Sequence, residues 1–240
     1  MLTDELLNYL FDGQPHILME PMAAWLDSSR RFTTFVSAAR EKIRKKLRVI
    51  KDTETLYDLL LELETAFLLL QERALSVVYE PEQSRQVRSP DFAVTFTTSL
   101  TFMVEVTRVR AASSSDNSQK TPLEGERLAD SICSKLGQLL PQRSNVLIVG
   151  LDNLSLTQSD LNSWMLRIQQ RAEQENTAFV KRYGFQDRSD FFRYYQGLSE
   201  VLLRRSQLQV KGGVISWVNT QAKHPLPSKV RTALYRSHKG

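Results

Sequence analysis

The chain has 240 residues, 41% apolar and 25% charged, an ordinary globular composition that fits one sizeable domain. Its single cysteine, Cys133, excludes an internal disulfide and a multi-cysteine zinc site. No long apolar run and no leader-like start is visible, so neither a membrane span nor a signal peptide is expected, and a cytoplasmic location follows.

The elements expected in chain order are helices, then strands, then helices. LTDELLNYLF reads as a helix with Thr3 as its cap, ended by Pro15 and Pro21. Residues 30–48 resume a helical pattern, with Phe32, Phe35, Val36, Ala39, Ile43 and Leu47 on one side. Residues 53–73 form a strongly apolar helix, capped by Thr53. LSVVY, 75–79, is a short strand. Two alternating runs, about 91–97 and 101–109, form a hairpin. A polar stretch, AASSSDNSQKT, leads to an amphipathic helix at 123–140. NVLIVGL, 145–151, is a continuous apolar run that suits a central strand covered on both faces. Long helices are expected at about 159–182 and 189–205. LQVK, Gly212-Gly213 and VISWV read as a terminal hairpin or two short strands.

The strand–helix–strand crossover from 101–109 to 145–151 predicts parallel pairing of those strands. The expected class is therefore α/β, a mixed sheet with helices on both faces. The expected organisation is a helical N-terminal extension at 1–52, a core at 53–220 with inserted helices, and a basic tail at 221–240.

The net charge of +5 is unevenly spread. Residues 30–51 carry nine Lys and Arg against one acid, Glu41, and residues 201–240 carry eight Lys and Arg and no acid. This is the distribution a nucleic-acid binder tends to show. Lys42, Lys45 and Lys46 are the candidate phosphate contacts. The alternative is a solvated helix face and a loose tail.

Two carboxylates do not fit the hairpin. Asp91 opens the first strand, and Glu105 sits inside the second, in VEV. Side chains at i and i+2 of a strand share a face, so Glu105 and Thr107 lie together with Met103. A tight hairpin could bring Asp91 to the same place. Converging acids repel unless a cation joins them. Oxygen ligands without His or Cys suit Mg²⁺, with Mn²⁺ as substitute, and such an ion assists phosphoryl chemistry. The alternative for Glu105 is a solvent-facing strand residue paired with Arg108 or Arg110. For Asp91 it is a turn residue after Pro90. No P-loop, G-x-G-x-x-G or G-x-S-x-G pattern is present. The cluster Phe191, Phe192, Tyr194 and Tyr195 reads as core packing.

Pro90-Asp91 followed by Glu105-Val106-Thr107 resembles the PD-(D/E)XK nuclease superfamily, the restriction-endonuclease-like fold. The resemblance covers about residues 53–152, and WVNTQAKHPLP, 217–227, resembles the end of uncharacterised proteins of that fold. It implies an αβββαβ core and a metal-dependent nuclease, an endonuclease cleaving phosphodiester bonds. Metal ligands would be Asp91, Glu105 and the main-chain carbonyl of Val106. The upstream helix would donate a further acid, Glu62 or Glu64, with Glu62 preferred. The family's motif lysine falls at Thr107, a departure from the pattern. Branches of the superfamily move that lysine to the next helix, where Lys135 flanks the seam Leu128, Ile132, Leu136 and Leu139. Thr107 and Gln138 would then contact substrate or water. The partner implied is nucleic acid, DNA first and RNA second, with a homodimer compatible and no membrane. The other reading is a nuclease-like module without catalysis that binds nucleic acid or a protein.

Overall fold

A computed structural model describes residues 3–81, 89–110, 120–152, 156–174, 177–205 and 214–238. Helices α1 (Thr3–Phe11), α2 (Met19–Ser28), α3 (Arg30–Val49) and α4 (Thr53–Gln71) come first. Strands β1 (Leu75–Tyr79), β2 (Phe92–Phe96) and β3 (Leu100–Val109) follow. Then come α5 (Lys120–Leu136), β4 (Asn145–Leu151), α6 (Gln158–Glu173), α7 (Ala178–Arg182), α8 (Arg188–Tyr195), β5 (Leu198–Arg205), β6 (Ile215–Val218) and α9 (Ser228–Ser237).

The class is α/β, as the sequence pattern requires. Among the described residues, six strands lie in chain order in one mixed open sheet. The β1–β2, β2–β3 and β5–β6 pairs are antiparallel, and β3–β4 and β4–β5 are parallel. Alternation sorts each strand's side chains between two cores. Phe92, Val94, Phe102, Val104, Val106, Val146, Ile148 and Leu202 meet α1–α4 and α9 on one face. Val109, Leu147, Val149, Leu151, Val201 and Leu203 meet α5, α6 and α8 on the other. The continuous apolar run of β4 is thus explained by cover on both sides.

Helix α4 buries residues around most of its circumference, from Leu59 to Leu70. It lies between the sheet and α3 and α9, so an all-round apolar pattern is what its place demands. Its approach to the sheet is close: a Cβ on Gly150 would lie 2.5 Å from Leu61. The cap of α4 is Asp52 rather than Thr53. The Asp52 side chain accepts hydrogen bonds from the Thr55 N–H at 2.8 Å and the Thr55 hydroxyl at 2.7 Å.

Several expectations are corrected. Residues 189–205 are not one helix: α8 stops at Tyr195, Gly197 follows, and LSEVLLRR is the strand β5. A strand buried on both faces has no period of two to betray it, so its apolar run could not be told from a helix. The span 159–182 is two helices, α6 and α7, rather than one. Helix α2 forms with Pro21 inside its first turn, where a proline costs no hydrogen bond. The span 221–240 is not a loose tail, since α9 buries Val230, Ala233 and Leu234 in the first core. Their spacing of three and one is the stripe that makes a helix dock. Likewise the N-terminal helices are a layer of the main core, not an appendage. Positions 111–119 and 206–213, including the Gly212-Gly213 turn, lie outside the described residues.

Candidate functional site

The site follows from a mismatch of strand lengths. β2 begins at Phe92, opposite Val104, while β3 runs on to Val109. Among the described residues that edge of β3 has no strand partner beyond Val104, and a cavity of about 910 Å³ opens there. Its lining includes Lys42 and Lys46 of α3, Asp58, Leu61 and Glu62 of α4, and Lys135 of α5. Glu80, Ser89, Asp91 and residues 106–108 complete one side, with Arg110 at the rim.

Asp91 stands one step before β2, so the β2–β3 register carries it to a place opposite Glu105. The two acids therefore share the sheet face covered by α5. The Asp91 carboxylate accepts the Val106 N–H at 2.7 Å. The two main-chain polar groups of a strand residue turn to the same edge, so the Val106 carbonyl faces the notch as well. Burial, then the neighbouring Glu105 carboxylate, pushes the Asp91 pKa up to about 6; Lys135 and the Val106 N–H oppose the shift.

Glu105 is only 3% exposed, so it is not a solvent-facing strand residue. Its Oε2 accepts from the Lys135 Nζ at 3.2 Å. Lys135 is in the last turn of α5, directly before Leu136 of the apolar seam, and its stem reaches the sheet from there. Arg108 and Arg110 do not pair with Glu105. Arg108 points to the opposite face, where its buried guanidinium binds Asp58 at 2.9 Å, Glu54 at 2.6 Å and Asp152. Arg110 joins Glu54 at 3.1 Å and Asp58 at 3.0 Å.

Of the two candidate acids on α4, Glu62 enters the cavity and Glu64 does not. Glu64 turns to β5 and pairs with Arg204 at 2.6 Å. Glu62 Oε2 accepts from Lys46 at 2.7 Å and from the Tyr79 hydroxyl at 2.7 Å. Burial and the Asp91 charge raise the Glu62 pKa, against the pull of Lys46. Burial and the same Glu62 hold the Tyr79 phenol well above its usual range, so it stays a donor.

Three lysines expected together on the basic helix separate. Lys45 is exposed. Lys42 donates to the carbonyls of Tyr79 at 3.3 Å and Glu80 at 2.5 Å. Lys46 bridges Glu62 and Glu80, the latter at 2.8 Å. The charge imbalance of 30–51 is met by acids distant in sequence, since Arg44 and Arg48 both pair with Asp12. The acid-free end is met in the same way, by Arg204–Glu64, Arg231–Glu200 and Arg236–Glu72. Thr107 lines the cavity. Gln138 lies past the end of α5 and outside the lining, its N–H donating to the Lys135 carbonyl at 3.0 Å.

Tyr79 and Glu80 were not singled out from the sequence. The signal was available: pairing LSVVY antiparallel with FAVTF sets Tyr79 opposite Phe92 and so Glu80 beside Asp91.

Among the described residues, no three His, Cys, Asp or Glu side chains gather as an all-protein metal cage. The donors on this side of the sheet, the buried Glu105 carboxylate, the half-buried Asp91 carboxylate and a main-chain carbonyl, are hard oxygens. They fit Mg²⁺, which keeps several waters and is held through one or two carboxylates plus substrate phosphate. They do not fit a Ca²⁺ cage of six to eight oxygens. Among the described residues no helix is long and apolar enough to cross a membrane.

No family model matches the chain, and neither any curated protein nor any solved structure is significantly similar to it.

Proposed function

We propose that this protein is a metal-dependent nuclease of the restriction-endonuclease-like type, hydrolysing phosphodiester bonds of nucleic acid, DNA first. The observation that carries the reading is the Lys135 ammonium 3.2 Å from Glu105, on the sheet face shared by Asp91 and Glu105. A fold gains nothing from gathering acids in a cavity, since each raises the cost of the other's charge. The element order α4-β1-β2-β3-α5-β4, with β3 and β4 parallel, supports the αβββαβ reading.

Asp91, Glu105 and the Val106 carbonyl would hold Mg²⁺ or Mn²⁺. When bound, the ion supplies charge stabilisation at the phosphoryl group and a more acidic water. Lys135 does what Thr107 cannot, because an ammonium carries three donors and a full charge. With one N–H on Glu105, it can orient a water and offset charge building on the phosphate. Glu62, fixed by Tyr79 and Lys46, sets the negative potential on the far wall of the cavity. Lys42, at the rim over β1, can face the phosphate backbone, as can exposed Lys45.

The second reading, an inactive module of the same fold that binds nucleic acid or a protein, is favoured by Thr107 alone. Cleavage assays on plasmid, single-stranded DNA and RNA with Mg²⁺ or EDTA test the proposal. Metal-dependent cleavage that Asp91→Asn removes is the expected result. Absence of cleavage on every substrate with Mg²⁺ and with Mn²⁺ would leave the inactive module.

A further inference from the structure

Lys46 is the cavity's least expected member. A basic residue on the sequence's most basic helix belongs, on composition alone, on a solvated surface. Instead its Nζ lies 2.7 Å from Glu62 and 2.8 Å from Glu80, and 4.8 Å above the Tyr79 ring. Tyr79 adds a hydrogen bond to the same Glu62 oxygen. Burial works against the Lys46 charge, yet Glu62 and Glu80 outweigh it and keep the lysine firmly protonated.

The clamp is held under backbone strain. Glu80 has φ 40°, a left-handed conformation uncommon for glutamate. That conformation turns the Glu80 carbonyl to Lys42 at 2.5 Å while its carboxylate meets Lys46. Such strain persists where the surroundings over-determine it, and such places cluster at functional sites.

Resting on the nuclease reading, we propose that Lys46 is a built-in cation that fills the second metal position, so that the site takes one divalent ion and not two. Glu62 and Asp91 line the same cavity, and the Asp91 charge raises the cost of ionising Glu62, the relation that a second ion would relieve. Two-metal phosphodiester sites set their ions about 3.5–4 Å apart over shared carboxylates. Here the outer carboxylate already has an ammonium on it. Lys46 is thus a positioning residue: it orients Glu62 and sets the metal count without touching the scissile phosphate.

Mn²⁺ titration of the full chain, followed by calorimetry and by electron paramagnetic resonance of the free ion, counts the sites. Wild type is expected to bind one Mn²⁺, and Lys46→Met two. The second ion should vanish again in Lys46→Met/Glu62→Gln, and Lys46→Arg should stay at one. Lys46→Gln, uncharged but able to donate to both carboxylates, guards against misfolding of Lys46→Met and is also expected to bind two. Two ions in wild type, or one in both folded neutral variants, would overturn this inference while leaving the nuclease reading intact. No Mn²⁺ in wild type would remove the nuclease reading and this inference with it.

Discussion

Strands β3 and β5 belong to one sheet, and each buries a glutamate. Glu200 in β5 is fully covered and faces one cation, Arg231 at 3.2 Å, with the Tyr235 hydroxyl on its other oxygen. Burial raises its pKa, and both partners oppose the rise. No other carboxylate contributes to that shift, so Glu200 is fully explained as a tie between β5 and α9. Glu105 in β3 is equally hidden and has its own cation, Lys135, but it also faces Asp91, which in turn bears on Glu62. A buried acid with partners of opposite charge serves the fold. A buried acid set against other acids costs the fold something, and the difference is what makes β3 the candidate functional strand.

Substitutions should separate the two sites most sharply in activity. Lys135→Ala is expected to lower metal-dependent cleavage about 100-fold or more, while circular dichroism and Mn²⁺ binding stay close to wild type. Substitution of Arg231, the corresponding cation beside Glu200, should leave the cleavage rate per folded molecule unchanged. Cleavage retained in Lys135→Ala would erase the distinction.

In stability the ranking reverses. Glu200→Ala removes the partner of Arg231 and is expected to cost about 2–4 kcal/mol in urea unfolding, since a buried pair is broken on one side. Glu105→Gln relieves repulsion with Asp91 and keeps the hydrogen-bonding shape, so it should stay within about 1 kcal/mol of wild type or exceed it. A larger loss for Glu105→Gln than for Glu200→Ala would reverse the assignment of the two residues.

A smaller effect lies in pH. Folded Asp91 ionises near pH 6, against 3.8 for its ordinary value. Between those values the folded chain holds the extra proton, so Asp91 makes stability fall as pH rises from about 4 to 6, by no more than about 3 kcal/mol. Below that window both states are protonated and the contribution is level. Because Glu105 supplies part of the shift, the fall should be shallower in Glu105→Gln. Identical slopes in urea titrations at pH 4, 5, 6 and 7 would show that the two acids do not feel each other.

The smallest contrast is between neighbouring lysines. Lys45 is exposed, whereas Lys46 is clamped between two carboxylates. Lys45→Ala should flatten the salt dependence of nucleic-acid binding by about one unit of slope, and Lys46→Ala by less. Equal changes would return Lys46 to the phosphate-contact role its sequence neighbourhood suggests.

The sequence made β3 legible because its acid interrupts an alternating pattern, and it made Lys135 legible because it flanks a regular apolar seam. Glu200 was hidden by the same physics that buried it: SEVLL, covered on both faces, carries no alternation, and the span 189–205 reads as one helix. Glu62 is preferred over Glu64 on the resemblance alone; the fold separates the two because residues two apart on a helix point about 160° away from each other. The basic stretch of α3 was legible only in part, for a further reason. Its balancing acids, Asp12, Glu62 and Glu80, are distant in sequence and are brought to it only by packing. Local charge reads as surface charge until the tertiary partners are known.

If Asp91 and Glu105 hold one divalent ion, a crystal soaked in Mn²⁺ and measured at the manganese edge shows one anomalous peak, about 2.0–2.6 Å from oxygens of Asp91, Glu105 and the Val106 carbonyl. A difference map without a peak there, at millimolar Mn²⁺, or a peak at Glu62 and Glu80 in place of the Lys46 ammonium, would contradict it.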